Sequence, residues 1–280
     1  MKYIFAYDLD GTLLTKQGNV HPKTMEQLEK VAQKGFYNTV ATGRCLPKVL
    51  PLLEEDILNH FDYLVCSNGA VIYDVKNKVT KVLGNVDTRA FDVMKTAAQK
   101  HNLIFNLDTE SYTGTYVQGS KTNELPEWIL QSAVMDLNLA KFADLDELER
   151  VTFDPENKVV QMALRCPIEK AQEIWQEVKV QLDQDHEVFL TNSVYVDVNP
   201  KGISKYQGIE EVIKMAGLSD NNLVAFGDSG NDIEMLKHAK YGFAMGNATQ
   251  PAKDAAYGVV GDHNEGSIGI KIEEILDGLD

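Results

Sequence analysis

Four short segments bring together residue types whose spacing could do chemistry. Tyr7-Asp8-Leu9-Asp10-Gly11-Thr12 directly follows a short apolar run, so two carboxylates leave a buried strand into a tight Gly-Thr turn. Ligands of open α/β sheets bind beside the carboxyl ends of strands. Carboxylates crowded there repel unless a cation joins them. Asp144/Asp146 and Asp183/Asp185 repeat the Asp-x-Asp spacing but leave no buried strand. Gly227-Asp228-Ser229-Gly230-Asn231-Asp232 again sits between an apolar run and a helix. Asp228 and Asp232 offer oxygen ligands suited to a hard cation such as Mg²⁺; Asp232 equally suits the acidic start of a helix.

The other two segments point to an anion. In Ala41-Thr42-Gly43-Arg44, a hydroxyl and a glycine N–H at a strand end can hold phosphoryl oxygens, although the same residues make an ordinary loop. In Asn199-Pro200-Lys201-Gly202-Ile203-Ser204-Lys205 a cation stands at a helix amino terminus, against the dipole, which asks for a compensating reason. Position alone does not choose between Lys201 and Lys205.

The elements that must position these residues follow from hydrophobic periodicity. Tyr3 to Tyr7, Tyr37 to Ala41 and Tyr63 to Cys66 are short buried-strand runs. Pro22 to Lys34 has the period of a helix, with Pro22 in its first turn and Gly35 after its last. Ser67-Asn68-Gly69 is a turn signal before a strand at Ala70 to Tyr73. Toward the other end, Ile209, Val212, Ile213 and Ala216 share a helical face. Leu223 to Phe226 and Tyr241 to Met245 are strands, Ile233 to Ala239 is a helix, and Ile272, Ile275 and Leu276 mark a closing helix. This alternation predicts an α/β fold, a doubly wound parallel sheet.

The middle differs. Phe91, Met94, Ala98 and His101 form one helical stripe, and Ile168, Ala171, Trp175, Val178 and Leu182 another. Strand candidates are Leu103 to Leu107, Tyr112 to Val117 and Val159 to Leu164. An inserted α+β domain is therefore expected over 83–190, between the halves 1–82 and 191–280 of the α/β domain. The insert is the more acidic part, which reads as a solvated surface.

Composition narrows the partners. With 27 Lys+Arg against 42 Asp+Glu in 280 residues, the net charge is −15, which disfavours nucleic acid and anionic membrane surfaces. A small anionic substrate needs a local cluster of cations. No apolar run is long enough to span a bilayer, and the apolar start meets Asp8 too soon for a signal peptide. Cys45, Cys66 and Cys166 are widely spaced, in keeping with a reducing, cytoplasmic compartment rather than a disulfide or zinc framework.

Taken together and in order, the four segments resemble the haloacid dehalogenase superfamily of phosphohydrolases. The insert's place between the second and third segments, and Met245-Gly246-Asn247-Ala248 near the end, resemble its Cof-type branch, which carries a large C2-type cap. The segment Gly261 to Ser267 departs from the branch by its His263.

The resemblance implies the following roles. It selects Lys205 over Lys201. Asp8 is the nucleophile that forms an aspartyl-phosphate, and Asp10 the general acid and base. Leu9, Thr42, Gly43, Lys205 and Asn231 hold the phosphoryl oxygens. Mg²⁺ sits among Asp8, the Asp10 carbonyl, Asp228 and Asp232, the last steering waters or Lys205. Aspartate at position 10 favours turnover over a long-lived phospho-enzyme. The substrate expected is a small soluble phosphate ester, a sugar or cofactor phosphate, with cap residues such as those of Ser111 to Gln118 choosing the leaving group. The protein is expected to be a monomer or homodimer. A hexose phosphomutase is the nearest alternative, weakened by the scattered Arg89, Arg150 and Arg165; a non-catalytic phosphometabolite sensor is the other, weakened by retention of Asp8, Asp10 and Asp228.

Overall fold

Ile4–Tyr7 is apolar apart from one hydroxyl, and all four residues are buried, as in a strand covered on both faces. It is β1 of the computed structural model, which describes residues 2–118, 140–191 and 193–279. After it come α1 (Pro22–Gln33), β2 (Tyr37–Ala41), α2 (Leu46–Glu54), β3 (Tyr63–Cys66), β4 (Val71–Asp74) and β5 (Val79–Val82). Next are α3 (Thr88–His101), β6 (Ile104–Thr109), β7 (Thr113–Val117), α4 (Leu145–Phe153), β8 (Val159–Arg165), α5 (Ile168–Leu182), β9 (His186–Thr191) and β10 (Tyr195–Pro200). The chain closes with α6 (Lys205–Met215), β11 (Leu223–Gly227), α7 (Ile233–His238), β12 (Tyr241–Ala244), α8 (Gln250–Ala255), β13 (Gly258–Val259) and α9 (Ser267–Asp277). Two compact units result: Met1–Leu83 with Ile203–Asp280, and Gly84–Gly202.

The first unit is an α/β sheet in the order β13-β12-β11-β1-β2-β3-β4-β5 among the described residues, parallel as far as β3 and antiparallel at β4 and β5. From β1 the chain winds outward through β2 and β3, and later returns to β11 on the other flank of β1. Right-handed crossovers in both directions put helices on both faces, and the reversal opens a crevice at the carboxyl ends of β1 and β11. Packing fixes that register. The Tyr7 ring stacks on Phe226 at 5.5 Å, and Phe226 on Phe243 at 5.4 Å.

The second unit is an antiparallel sheet, β7-β6-β8-β10-β9. Its helices α3 and α5 present Phe91, Met94, Ile174 and Val178 to Phe105, Leu107, Met162 and Leu164 in a common apolar core. The alternate strand positions carry Asn106, Asp108, Gln161, Arg165 and Asp197, all buried. The unit reaches Gly202, so the boundary expected at 190 needs correction. Tyr195–Pro200 alternates as a strand and pairs with both β8 and β9, which ties it to this sheet.

Candidate active site

The end of β1 and the end of β11 meet because the two strands run parallel with Tyr7 opposite Phe226. Just beyond β1, the Leu13 N–H donates to the Asp8 carbonyl (3.1 Å) and the Leu14 N–H to the Leu9 carbonyl (2.9 Å), closing a tight turn. Gly11 sits in it at φ 79°, where a Cβ would come within 2.8 Å of the Asp228 carboxylate; the turn has room and backbone freedom only for glycine. Thr12 donates its hydroxyl to Asp228 Oδ1 at 3.3 Å. Beyond β11, the N–H groups of Asp228 and Ser229 both donate to Asp232 Oδ2, at 3.0 and 2.9 Å. The other Asp232 oxygen accepts from Lys205 Nζ at 2.7 Å, and the same ammonium donates to Asp8 Oδ1. Lys205 is the first residue of α6, capped by Ser204, whose Oγ accepts the Tyr206 N–H. The helix end that a cation opposes is thus answered by two carboxylates.

These charges are buried: Asp8 is 5% exposed, Lys205 1% and Asp232 0%. Asp8, Asp228 and Asp232 each offer a carboxylate oxygen, all within 4.8 Å of one another, against one ammonium. Burial first, then the Asp232 charge, push the Asp8 carboxyl well above its ordinary range despite Lys205. Burial and Asp232 likewise raise Asp228 to about 6. Burial works against the Lys205 ammonium, but Asp232 and Asp8 outweigh it and hold its pKa above the usual lysine value. The cluster therefore keeps its lysine charged and is short of positive charge. Hard oxygen donors with an unbalanced negative charge fit a divalent cation such as Mg²⁺.

The remaining expected residues surround this cluster. Thr42 is buried just past β2; its N–H donates to the Val65 carbonyl (2.8 Å), and its Oγ1 accepts the Arg44 N–H (3.1 Å), leaving the hydroxyl proton to donate elsewhere. A Cβ on Gly43 would lie 3.3 Å from the Asn68 Oδ1. Asn231 donates to that same oxygen at 2.9 Å. Lys201 is elsewhere, bonded to the Asp183 carbonyl and paired with Glu187 inside the second unit. The other Asp-x-Asp pairs serve local structure. Asp144 caps α4, Asp183 ends α5, and Asp185 pairs with Arg89.

Three contacts had no local sequence signal. Arg44 forks onto Asp10, Nε to Oδ2 at 2.8 Å and a terminal nitrogen to Oδ1 at 2.5 Å. Asn68 lies between the Gly43 and Asn231 loops. Asn247 donates to the Gly11 carbonyl at 2.8 Å and accepts the His263 N–H at 3.3 Å, so His263 touches the turn's support rather than the carboxylates. Each joins segments far apart in sequence.

Comparison with known proteins identifies the family. The family model described as haloacid dehalogenase-like hydrolase matches residues 5–272. A 5-amino-6-(5-phospho-D-ribitylamino)uracil phosphatase of Bacillus subtilis is 30% identical over 256 residues, covering 90% of this chain and 87% of its own. A pyridoxal phosphate phosphatase of Escherichia coli is 28% identical over 273 residues, covering 95% of each chain. The crystal structure of a haloacid dehalogenase-like hydrolase from Bacteroides thetaiotaomicron shares the fold with a TM-score of 0.81, at 23% identity over 98% of this chain and 100% of that one. With a family match running nearly end to end, and the four motif segments gathered at the carboxyl end of one sheet, the chain belongs to the haloacid dehalogenase-like hydrolases.

Proposed function

We propose that the protein is a Mg²⁺-dependent phosphomonoesterase that hydrolyses a small phosphate ester through an aspartyl-phosphate on Asp8. The observation that carries this reading is the cluster of buried Asp8, Asp232 and Lys205 with half-buried Asp228 at the point where the strand order reverses. Asp8 attacks phosphorus, the ester P–O bond breaks, and Asp10 gives its proton to the leaving oxygen. Asp10 then takes a proton from the water that attacks phosphorus, releasing phosphate and restoring Asp8. Lys205, Thr42, Asn231 and the N–H groups of Leu9 and Gly43 hold the phosphoryl oxygens as charge develops on them. When bound, Mg²⁺ held by Asp8, Asp228 and the Asp10 carbonyl supplies the positive charge that lets a carboxylate approach a phosphate dianion. Both Asp232 oxygens are engaged, which supports a role in holding Lys205 and the Asp228 loop rather than the ion itself.

Relatives named for a ribitylamino-uracil phosphate and for pyridoxal phosphate support a small ester as substrate. Residues of the Gly84–Gly202 unit, inserted between the Gly43 and Lys205 segments, set the leaving-group preference. Cys45, Cys66 and Cys166 are buried thiols in no disulfide, which supports a cytoplasmic location; among the described residues no helix is long and apolar enough to cross a membrane. The test is phosphate release from p-nitrophenyl phosphate and a panel of sugar and cofactor phosphates, with Mg²⁺, with EDTA, and with Asp8→Asn. Release that needs the metal and vanishes in Asp8→Asn is the expected result. No release from any ester by folded, Mg²⁺-loaded protein would overturn the reading.

A further inference from the structure

Ser67-Asn68-Gly69 does more than reverse the chain between β3 and β4. Hairpin tips ordinarily lie in solvent, yet Ser67 and Asn68 are buried, Asn68 to 1% exposure. Ser67, Asn68 and Gly69 all have positive φ, at 49°, 51° and 102°. A run of such residues persists only where the surroundings hold it, and buried strain of this kind concentrates at functional sites.

The surroundings are three loops of the site. The Asn68 N–H donates to the Thr42 carbonyl (3.0 Å) and the Ser67 N–H to the Arg44 carbonyl (2.9 Å), gripping the Thr42–Arg44 loop from both sides. Gly69 packs against the start of α6, where a Cβ would collide with the Ser204 carbonyl, next to Lys205. The Asn68 carboxamide fills the space that Gly43 leaves by having no side chain, and its Oδ1 accepts from Asn231 Nδ2 at 2.9 Å. Asn231 is thereby oriented at both ends, because its own Oδ1 accepts from Ser229 Oγ at 2.6 Å. One Nδ2 hydrogen goes to Asn68, and the second is left to donate.

We propose that Asn68 is a positioning residue of the phosphoryl cradle: it orients the Asn231 amide and sets its distance from the Gly43 N–H. The proposal rests on the phosphatase reading above. The test uses Asn68→Gly, which keeps the left-handed backbone and removes the side chain, with Asn231→Ala and the double variant. For each, the inhibition constant of inorganic phosphate against p-nitrophenyl phosphate, the Mg²⁺ concentration for half activation and Tm are measured. Asn68→Gly should weaken phosphate about tenfold, as loss of one hydrogen bond to a charged group does. Half activation by Mg²⁺ should stay near wild type, which general loosening would not permit, and Tm should fall by no more than one lost buried hydrogen bond explains. Adding Asn231→Ala to Asn68→Gly should cost little more than the worse single change, because one residue acts through the other. Wild-type phosphate affinity in Asn68→Gly, or single penalties that multiply in the double variant, would overturn the proposal.

Should Asn68→Gly fail to fold, Asn68→Asp keeps shape and acceptor but sets a negative charge beside the cradle. Unchanged phosphate affinity there would overturn it as well. If wild type releases no phosphate from any ester, the phosphatase reading fails. The Tm increase caused by inorganic phosphate with Mg²⁺ then still decides the proposal, expected in wild type and reduced in Asn68→Gly. An equal increase in both, or none in wild type, would overturn it.

Discussion

The two ends of the first unit's sheet treat buried polar groups in opposite ways. At the start of β2, Asn38 is fully buried with every polar group matched. Its Oδ1 accepts from the Tyr7 hydroxyl (3.0 Å), its Nδ2 donates to the Leu28 and His60 carbonyls (3.0 Å each), and its N–H donates to Asp62 Oδ2 (2.9 Å). At the carboxyl ends of β1 and β11, three carboxylates crowd together and one ammonium pairs with two of them, Asp8 and Asp232. A complete network stabilises and needs nothing further; an unbalanced one is costly and is relieved by proton uptake or by a ligand of the missing charge. Stability and chemistry thus occupy opposite ends of the same sheet.

The sharpest way to break this comparison is at Lys205. Lys205→Ala leaves Asp8 and Asp232 buried without their cation, which should cost about 3–5 kcal/mol of stability along with most turnover. A calorimetric or thermal melt with and without Mg²⁺ checks it: part of the loss should return with the metal. A folded variant with wild-type Tm and near-normal phosphate release would remove Lys205 from the account. At the other end, Asn38→Ala should cost about 1–3 kcal/mol by leaving buried partners unsatisfied, with kcat and KM on p-nitrophenyl phosphate unchanged. A fall in kcat there would show the two ends to be coupled.

The smallest effect is expected at Asp62. Burial raises its carboxyl above the ordinary range even though the Asn38 N–H opposes this. The folded state therefore binds this proton more tightly than the unfolded chain, so the charged form weighs against folding at neutral pH and the penalty fades as pH falls. Asp62→Asn, which keeps an acceptor for Asn38, should raise Tm slightly at pH 7. That gain should vanish below the ordinary carboxylate range. A gain that persists in acid would trace it to something other than the charge.

How much of this was legible in the sequence follows from where the information sits. Asp8, Thr42, Gly43 and Asp228 stand one or two residues beyond an apolar run, and Asp10 and Asp232 follow within the next few residues, so strand periodicity places them all at the carboxyl end of one sheet. Lys205 against Lys201 was not settled by position; tertiary contact separates them, Lys205 meeting Asp8 while Lys201 meets Glu187. The Arg44–Asp10 fork, the Asn68–Asn231 bond and the Asn247–Gly11 bond bridge 34, 163 and 236 residues of chain, and no local pattern carries such pairs. Asn68 shows the limit most clearly. Its Asn-Gly step signals a reversal, but only the folded chain shows that the reversal is buried against three other loops. In the second unit, the β10 alternation of Val196 and Val198 with Tyr195, Asp197 and Asn199 was present, but the partners that assign it to that sheet were not.

Covalent phosphoryl transfer to Asp8 can be caught by trapping the phospho-enzyme. Asp10→Asn removes the group that activates water, whereas p-nitrophenolate leaves without much help from an acid. Mixed with p-nitrophenyl phosphate and Mg²⁺ and quenched in acid, this variant should carry one phosphoryl group on the peptide containing Asp8, discharged by hydroxylamine. Product formation in a single turnover by Asp10→Asn, with that peptide unmodified at every quench time, would contradict the claim.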